Sequence, residues 1–391
     1  MSELNDLITK LCPDGVPYKK LDDLADIGTG SSNTQDQEPD GIYPFYVRSP
    51  EVKRSSSFEF DETAVITAGD GDVGKIFHFV EGKYALHQRA YRIKPTSSSL
   101  NAKFLYYYMK ANFRAYVERK ACSATVKSLR KPMFQNFEIP VPPLPVQAEI
   151  VRILDSFTTL EAELEAELAD RKKQYEYYRD YLLDKNTLER MDGKPVEMKK
   201  LGDICIRQRG TRITAKQMKE IACVNGDILI FGGGKTKVYA KKSDIPSKDI
   251  ITCPSVVVKS RGNIGFEYCD VPFTHKSELW SYSSNDEAVN IKFISYYLEN
   301  NRRFFQDAAN IGKLPQISTG VTDNYNVPVP SLATQERVVD ILDRFDTLTT
   351  SLTDGIPAEI AMRREQYEYC RSRLLDFPHL PDGSASVSDS E

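Results

Sequence analysis

The sequence predicts an α+β protein: two pseudo-symmetric mixed α/β domains separated by two long antiparallel coiled-coil helices. Three observations predict it. The chain repeats itself in order at offsets of 180 to 192 residues. Each copy opens with a block that mixes strand-like and helix-like runs. Each copy closes with apolar residues spaced three and four apart for about 40 residues, the signature of one amphipathic helix.

The repeat carries the argument. Lys19-Lys20-Leu21-Asp22-Asp23-Leu24 returns as Lys199-Lys200-Leu201-Gly202-Asp203-Ile204, and Asn101-Ala102-Lys103-Phe104 as Asn290-Ile291-Lys292-Phe293. Tyr107-Tyr108 is echoed by Tyr296-Tyr297, and Ile139-Pro140-Val141-Pro142 by Val327-Pro328-Val329-Pro330. Gln147, Ile153-Leu154-Asp155, Phe157 and Leu160 return as Gln335, Ile341-Leu342-Asp343, Phe345 and Leu348. Gln174-Tyr175-Glu176-Tyr177 returns as Gln366-Tyr367-Glu368-Tyr369. The boundaries expected are a first domain at 1–145, a helix at 146–186, a second domain at 187–333, a second helix at 334–377 and a disordered tail at 378–391.

Within the blocks, Ala64-Val65-Ile66-Thr67 and Val256-Val257-Val258 read as short buried strands bounded by Gly turns. Phe104–Tyr116 and Phe293–Phe305 have helical spacing. Beyond Pro140, Pro142, Pro143 and Pro145, apolar residues from Ile150 to Leu182 keep the steps of one helix about 60 Å long. The second copy matches from Val338 to Leu374, but Gly355 and Pro357 interrupt it, and a kink or break is expected there because proline removes a backbone donor and clashes with the preceding turn. Stripes this long most simply cover each other as a coiled coil. The alternative is that each helix folds back on its own block. Glu161-Ala162-Glu163-Leu164 is followed at once by Glu165-Ala166-Glu167-Leu168, an insertable length element worth about 6 Å at 1.5 Å per residue. Its glutamates would repel DNA, so these helices are a spacer or a protein-docking surface.

Composition sets the class. The 391 residues are 40% hydrophobic and 28% charged, a mixture that can bury ordinary cores and excludes a collagen or a disordered chain. No run approaches the ~18 apolar residues of a membrane helix, and the first residues lack a signal-peptide pattern. The 7 cysteines are scattered and never form CxxC, so neither a disulfide framework nor a zinc site is expected, and a reducing cytoplasm is. Net charge is −4, but it alternates: +1 over 1–142, −4 over 143–190, +5 over 191–330 and −6 over 331–391.

Motifs that suggest catalysis fail on context. Gly69-Asp70-Gly71-Asp72-Val73-Gly74 satisfies G-x-G-x-x-G and runs into Lys75, yet a phosphate site needs a helix next, and Ile76-Phe77-His78-Phe79-Val80 reads as strand. A tight strand-to-strand turn explains it, as it explains Gly262 and Gly265 in the second copy. Gly232-Gly233-Gly234-Lys235-Thr236 lacks the first P-loop glycine; it is either a loop bringing Lys235 and Lys237 close to a phosphate backbone or a solvated hairpin. The 4 histidines, His78, His87, His275 and His379, have no partner at metal-ligand spacing. His87 and His275 occupy similar places in the two copies, which suggests a shared structural role. No catalytic residue and no metal site is expected.

Basic residues cluster among Ser, Thr, Gln and Asn, a mixture suited to phosphate contact and base-edge hydrogen bonding. In the first block they are Arg119, Lys120, Lys127, Arg130 and Lys131. In the second they are Arg207, Arg209, Arg212, Lys216 and Lys219, with Lys235, Lys237, Lys259 and Arg261 nearby. These are the candidate DNA-binding residues; the alternative for each is a solvated face.

The chain resembles the specificity subunit of type I restriction–modification systems along nearly its whole length. The similarity rests on Leu11-Cys12-Pro13-Asp14-Gly15-Val16, the Pro-rich exit from each block, and above all the two helices. There it covers Gln147…Ile153-Leu154-Asp155…Phe157, the Glu-Ala-Glu-Leu repeat, the run from Arg171 to Asp180, and Gly355…Pro357…Gln366-Tyr367-Glu368-Tyr369. The resemblance implies two target-recognition domains, each reading one half of a bipartite, asymmetric site on double-stranded DNA. It implies helices that set the spacer and dock two methyltransferase subunits, with Gln174, Tyr175, Tyr177, Tyr178, Gln366, Tyr367 and Tyr369 as candidate docking residues. Restriction–translocase subunits would complete the complex. S-adenosylmethionine, ATP and magnesium are then expected on partner subunits and no cofactor in this chain, in a bacterial or archaeal cytoplasm. The competing readings are a tandem-repeat protein scaffold without DNA readout and a nucleotide-binding enzyme using the Gly69–Lys75 loop.

Overall fold

The computed structural model describes residues 2–120, 128–310 and 314–381. Contacts divide the chain into two compact units. One comprises residues up to Leu164 together with those from Ile360 onward, and the other is Glu165–Glu359. Each unit therefore takes in one globular block and parts of both long helices.

The first unit begins with helix α1 (Ser2–Leu11) and strands β1 (Tyr18–Lys20), β2 (Ala25–Thr29), β3 (Tyr43–Tyr46), β4 (Lys53–Ser55), β5 (Phe60–Ala68), β6 (Phe77–Leu86) and β7 (Ala90–Pro95). Six of them form one sheet in the order β2-β7-β5-β6-β3-β4. Val65 and Ile66 are fully buried although they point to opposite faces, so both faces of β5 are covered. The G-x-G-x-x-G run is the connection between antiparallel β5 and β6, whose register pairs Thr67 with Phe77. Gly71 and Gly74 take positive φ there, as the strand-to-strand reading expects.

Helix α2 (Ala102–Lys120) buries Phe104, Leu105, Met109 and Phe113 completely and packs across β5 and β6. Helix α3 (Lys131–Gln135) carries Pro132 in its first turn, where the N–H it lacks has no intrahelical partner. Strand β8 (Glu138–Pro140) pairs with β1, and α4 (Leu144–Leu183) runs unbroken for 40 residues.

The second unit repeats the plan after α5 (Lys185–Asp192). Its first half contains β9 (Glu197–Lys200), α6 (Leu201–Ile204), β10 (Ile206–Arg209), α7 (Ala215–Glu220), β11 (Ile228–Phe231) and β12 (Lys237–Ala240). Then come β13 (Ser255–Lys259), β14 (Gly265–Cys269), β15 (Phe273–His275), β16 (Trp280–Ser283), α8 (Ile291–Asn300), α9 (Arg302–Asp307), α10 (Thr319–Asp323) and β17 (Asn326–Val329). The strand that is continuous as β6 in the first unit is cut here into β14 and β15 around Pro272, which cannot donate to a ladder. The sheet accordingly splits into β10-β16-β13-β14 and β12-β11-β15. The single helix expected over Phe293–Phe305 is two, separated at Asn301.

The residues that repeat in sequence form the same polar clamp twice. Asn101 caps α2 by accepting from the Lys103 and Phe104 amides at 2.9 and 3.1 Å; Asn290 caps α8 in the same way at 3.0 and 3.1 Å. Buried Gln147 accepts from the Asn101 amide and donates to the Ser99 and Pro142 carbonyls. Gln335 does the same with Asn290, Ala288 and Pro330. Lys103 and Tyr107 meet on Asp155, Lys292 and Tyr296 on Asp343.

The helices combine both alternatives offered by their pattern. The first turns of α4 pack on their own block through Ile150 and Leu154, and those of α11 (Leu332–Thr350) through Val338 and Leu342. Further along, each finds another helix. In the first unit α4 lies antiparallel to α12 (Ile356–Leu374): Phe157 meets Tyr367 at 6.2 Å between ring centroids and Glu161 pairs with Arg364 at 2.5 Å. In the second unit Tyr175 and Tyr178 of α4 pack on Phe345 of α11 at 6.1 and 5.6 Å. The expected break falls between α11 and α12. Gly355 passes so close that a Cβ would lie 2.4 Å from the Thr347 carbonyl oxygen.

The tail departs from expectation at its start. The Val16 amide donates to the Pro378 carbonyl at 2.9 Å and the Leu380 amide to Val16 at 3.1 Å. His379 stacks on Tyr18 at 3.8 Å. Residues 378–380 are therefore held against Val16 and Tyr18, because backbone pairing and a ring stack outweigh their proline-rich composition. Residues 382–391 lie outside the described residues.

Candidate nucleic-acid interface

Each unit brings polar loops together at one end of its sheet, and the backbone frame beneath them is the same. In the first unit β3 runs parallel to β6 with Tyr46 opposite Leu86. The chain leaving β2 returns to this end, where the Ser32 amide donates to the Leu86 carbonyl and the Gln88 amide to the Ser32 carbonyl. In the second, β11 runs parallel to β15 with Phe231 opposite His275, and the Thr211 amide donates to the His275 carbonyl.

Glycine permits both approaches: a Cβ on Gly30 would fall 1.9 Å from the Leu86 oxygen, and one on Gly210 1.8 Å from that of His275. The register makes Leu86, not His87, the counterpart of His275. The expectation that the two histidines share a structural position is thus off by one residue: His87 corresponds instead to Lys276, the two residues that bridge to Ser32 and Thr211.

In the first unit this end forms a concavity of about 540 Å³ rimmed by Asn33, Gln35, Arg48, Gln88 and Arg89. Its two arginines share one carboxylate. Asp70 accepts from Arg48 at 2.8 Å and from Arg89 at 3.3 Å. Partial burial pushes its carboxyl up, but the two guanidinium groups outweigh that and hold it below the usual carboxylate range. Burial and the same arginines push the His87 imidazole down, so it stays neutral; its Nδ1 accepts from the Arg89 amide at 3.0 Å. Asn33 opens a short 3₁₀ turn with a reciprocal cap to Asp36, and its carboxamide oxygen takes a hydrogen bond from Gln88.

None of these rim residues stood out in the sequence. The available signals were the Asn33-x-x-Asp36 capping pattern and the polar run His87-Gln88-Arg89 between two strands.

The basic residues singled out by sequence fall elsewhere in the first unit. Arg119 and Lys120 end α2 and, with Lys20, Tyr18, Tyr116 and His379, line a separate cleft of about 930 Å³. Arg130 and Lys131 are exposed at the start of α3; Lys127 lies outside the described residues.

In the second unit Arg209, Arg212, Lys219, Lys235 and Arg261 are exposed and make no ion pair among the described residues. Arg212 follows Thr211 at the sheet end, and Lys235 tops the β11–β12 hairpin. Lys216 is 3.7 Å from Glu220. Three others are engaged internally. Arg207 pairs with Asp323, and Lys237 and Lys259 converge on Glu267, Lys259 at 2.6 Å. Burial raises the Glu267 carboxyl, but the two lysines hold it below its usual range. Each is held in an ion pair within the unit.

The docking candidates also divide. Tyr367 is buried against Phe157, and Tyr175, half-buried against Phe345, has its phenol pushed up to about 12 by burial. Both are packing residues of the helix pairs. Tyr178 also packs on Phe345 but stays part-exposed, while Tyr177 and Tyr369 are exposed by 63% and 60%. Gln174 and Gln366 accept from Arg171 and Arg363 one turn away.

A duplicated mixed domain on long helices, with one polar sheet end in each copy, defines the class. The chain belongs to the type I restriction modification DNA specificity domain family, whose model matches residues 13–170 and 193–362. It is 34% identical over 269 residues to the specificity subunit of the type I restriction enzyme EcoR124I/EcoR124II from Escherichia coli, a match spanning 63% of this chain and 64% of that one. It is 27% identical over 391 residues to a putative type I restriction enzyme specificity subunit of Haemophilus influenzae, covering 93% and 96%.

Its fold is shared with the S subunit of a type I restriction–modification system from M. genitalium, with a TM-score of 0.61, 17% identity and coverage of 92% and 96%. It is also shared with the HsdS subunit of Thermoanaerobacter tengcongensis, with a TM-score of 0.51, 14% identity and coverage of 93% and 97%.

Proposed function

We propose that this chain is the DNA-recognition component of a type I restriction–modification complex, each unit reading one half of a bipartite site. The observation that carries the reading is the sheet end built twice on one frame with different side chains around it. A device that reads two different base sequences needs that combination: constant support and variable hydrogen-bonding chemistry. Family membership and the shared fold support it.

The same reading gives the chain a non-catalytic role. The family match and the curated relatives, which are specificity subunits, support it, and the G-x-G-x-x-G run is the connection between two antiparallel strands. Methylation and cleavage then belong to two methyltransferase subunits and to restriction–translocase subunits, which hold S-adenosylmethionine, ATP and magnesium. The modest charge of −4 makes those partners contributors to the phosphate clamp. The exposed Tyr177 and Tyr369 are the helical residues offered to them. Among the described residues no helix is long and apolar enough to cross a membrane. Family membership is the ground on which we place the complex in the cytoplasm of a bacterium or archaeon.

Domain exchange tests the reading. Residues 191–330 are replaced by the matching block of another family member, and the methylated motif is mapped in cells with no other methyltransferase. One half of the motif should change while the other stays. A change in both halves, or in neither, would overturn the modular assignment.

A further inference from the structure

We propose that the concavity rimmed by Asn33, Gln35, Arg48, Gln88 and Arg89 is where the first unit reads base edges, with Arg89 and Gln88 as base-contacting residues and Asp70 as the positioning residue beneath them. The proposal rests on the DNA-recognition function argued above and makes it specific to residues.

Four features point to this place. First, the rim carries two arginines, two glutamines and an asparagine and no carboxylate. Arginine donates a bidentate pair to the O6 and N7 of guanine, and glutamine or asparagine matches the N6 and N7 of adenine. Second, the arginines are prearranged. Asp70 takes one terminal nitrogen from each, while the Arg89 side chain stays 62% exposed, so Arg89 keeps its other N–H groups for a ligand. A guanidinium already fixed on one side loses less freedom on binding.

Third, the loop carrying Asn33 is locked to the strand end by backbone bonds at Ser32 and by its cap on Asp36. Contacts made from such a frame have defined positions. Fourth, the second unit conserves the frame and changes the rim. Thr211 meets Lys276 where Ser32 meets His87, and Lys276 pairs with Glu278 at 2.5 Å. A structural ion pair would have no reason to vary between copies whose buried clamps are the same; a reading surface must.

The test uses the assembled complex with its methyltransferase subunits, in cells lacking other methylation. Arg89→Ala and Gln88→Ala should each relax recognition at one base of one half-site. Methylation of the cognate base should lose about 10- to 100-fold of its preference over the alternatives, the scale of one bidentate contact. Asp70→Asn should weaken the same position less than Arg89→Ala does. Arg212→Ala, in the second unit, should leave that half-site untouched.

An unchanged motif in both rim variants would overturn the proposal. So would a uniform fall in methylation at every site with the motif intact, since that marks phosphate contacts or stability. Gln88 is an exposed-loop residue whose truncation leaves the Asp70 ion pairs in place, so one variant stays informative even if Arg89→Ala lowers complex yield. A wild-type complex that methylates no bipartite motif would refute the broader function instead, so the two failures are distinct.

Discussion

Tyr107 donates its phenolic hydrogen to Asp155 across 2.6 Å, tying α2 to the first turns of α4. Tyr296 repeats the bond to Asp343 at the same distance in the second unit. Burial and the adjacent carboxylate both push these phenols above their usual range, so each remains a donor at all ordinary pH.

Removing either hydroxyl should cost the unit that contains it. A hydrogen bond to a charged acceptor contributes about 1.5–3 kcal/mol. Trp280, the single tryptophan, sits buried in the second unit's core, so its fluorescence reports that unit. Tyr296→Phe should lower the urea midpoint read by Trp280, and Tyr107→Phe should leave that midpoint in place. A Trp280 transition indifferent to Tyr296→Phe would refute the assignment.

The buried glutamines should be costlier to replace. Gln335→Leu fills similar space but strands the Asn290 amide and the Ala288 and Pro330 carbonyls, a loss of about 3 kcal/mol or more. Amide exchange at Asn290 should quicken markedly, while Gln147→Leu should do the same at Asn101 and nowhere in the second unit.

Stability of the second unit should fall on mild acidification. His275 is fully buried, its Nδ1 3.1 Å from the Lys276 carbonyl and its Nε2 3.3 Å from Ser281. Burial holds its pKa below the ordinary 6.5. The unfolded chain therefore takes up the proton first. Stability present above pH 6.5 is lost as pH drops through that value toward the folded pKa. Denaturation read by Trp280 at pH 7.5 and 5.5 should show the loss, and His275→Gln should flatten it; equal slopes in both proteins would contradict the argument.

Length along α4 should translate into spacing on DNA. Deleting Glu165-Ala166-Glu167-Leu168 removes about 6 Å of helix, against about 3.4 Å per base pair. The mapped motif should shorten its spacer by one or two base pairs with both halves retained. An identical spacer would show that the helix is no ruler.

How much of this was legible in the sequence follows from what had to stay constant. Asn101, Lys103, Tyr107, Gln147 and Asp155 returned in order because each has a partner it cannot lose, so the duplication and its clamps could be read directly. The break at Gly355 and Pro357 was legible for a similar reason, since backbone chemistry announces itself locally.

The concavity was not legible. Arg48, Asp70 and Arg89 come from three separate connections, and their counterparts in the second unit differ. Charge density pointed instead to Lys237 and Lys259, whose carboxylate partner Glu267 lies on another strand. Helical periodicity likewise could not separate Tyr177, which faces outward, from Tyr175 and Tyr367, which pack against phenylalanines.

The near-contact of Gly30 with Leu86, and of Gly210 with His275, bears on how such a protein could acquire a new target. Any side chain at either glycine would prise the return loop from the strand end, and every group mounted on that loop would move with it. A combinatorial library intended to reprogram sequence preference should therefore randomise the outer ring and hold these two positions invariant. Diversity would then accumulate on a footing that keeps its shape.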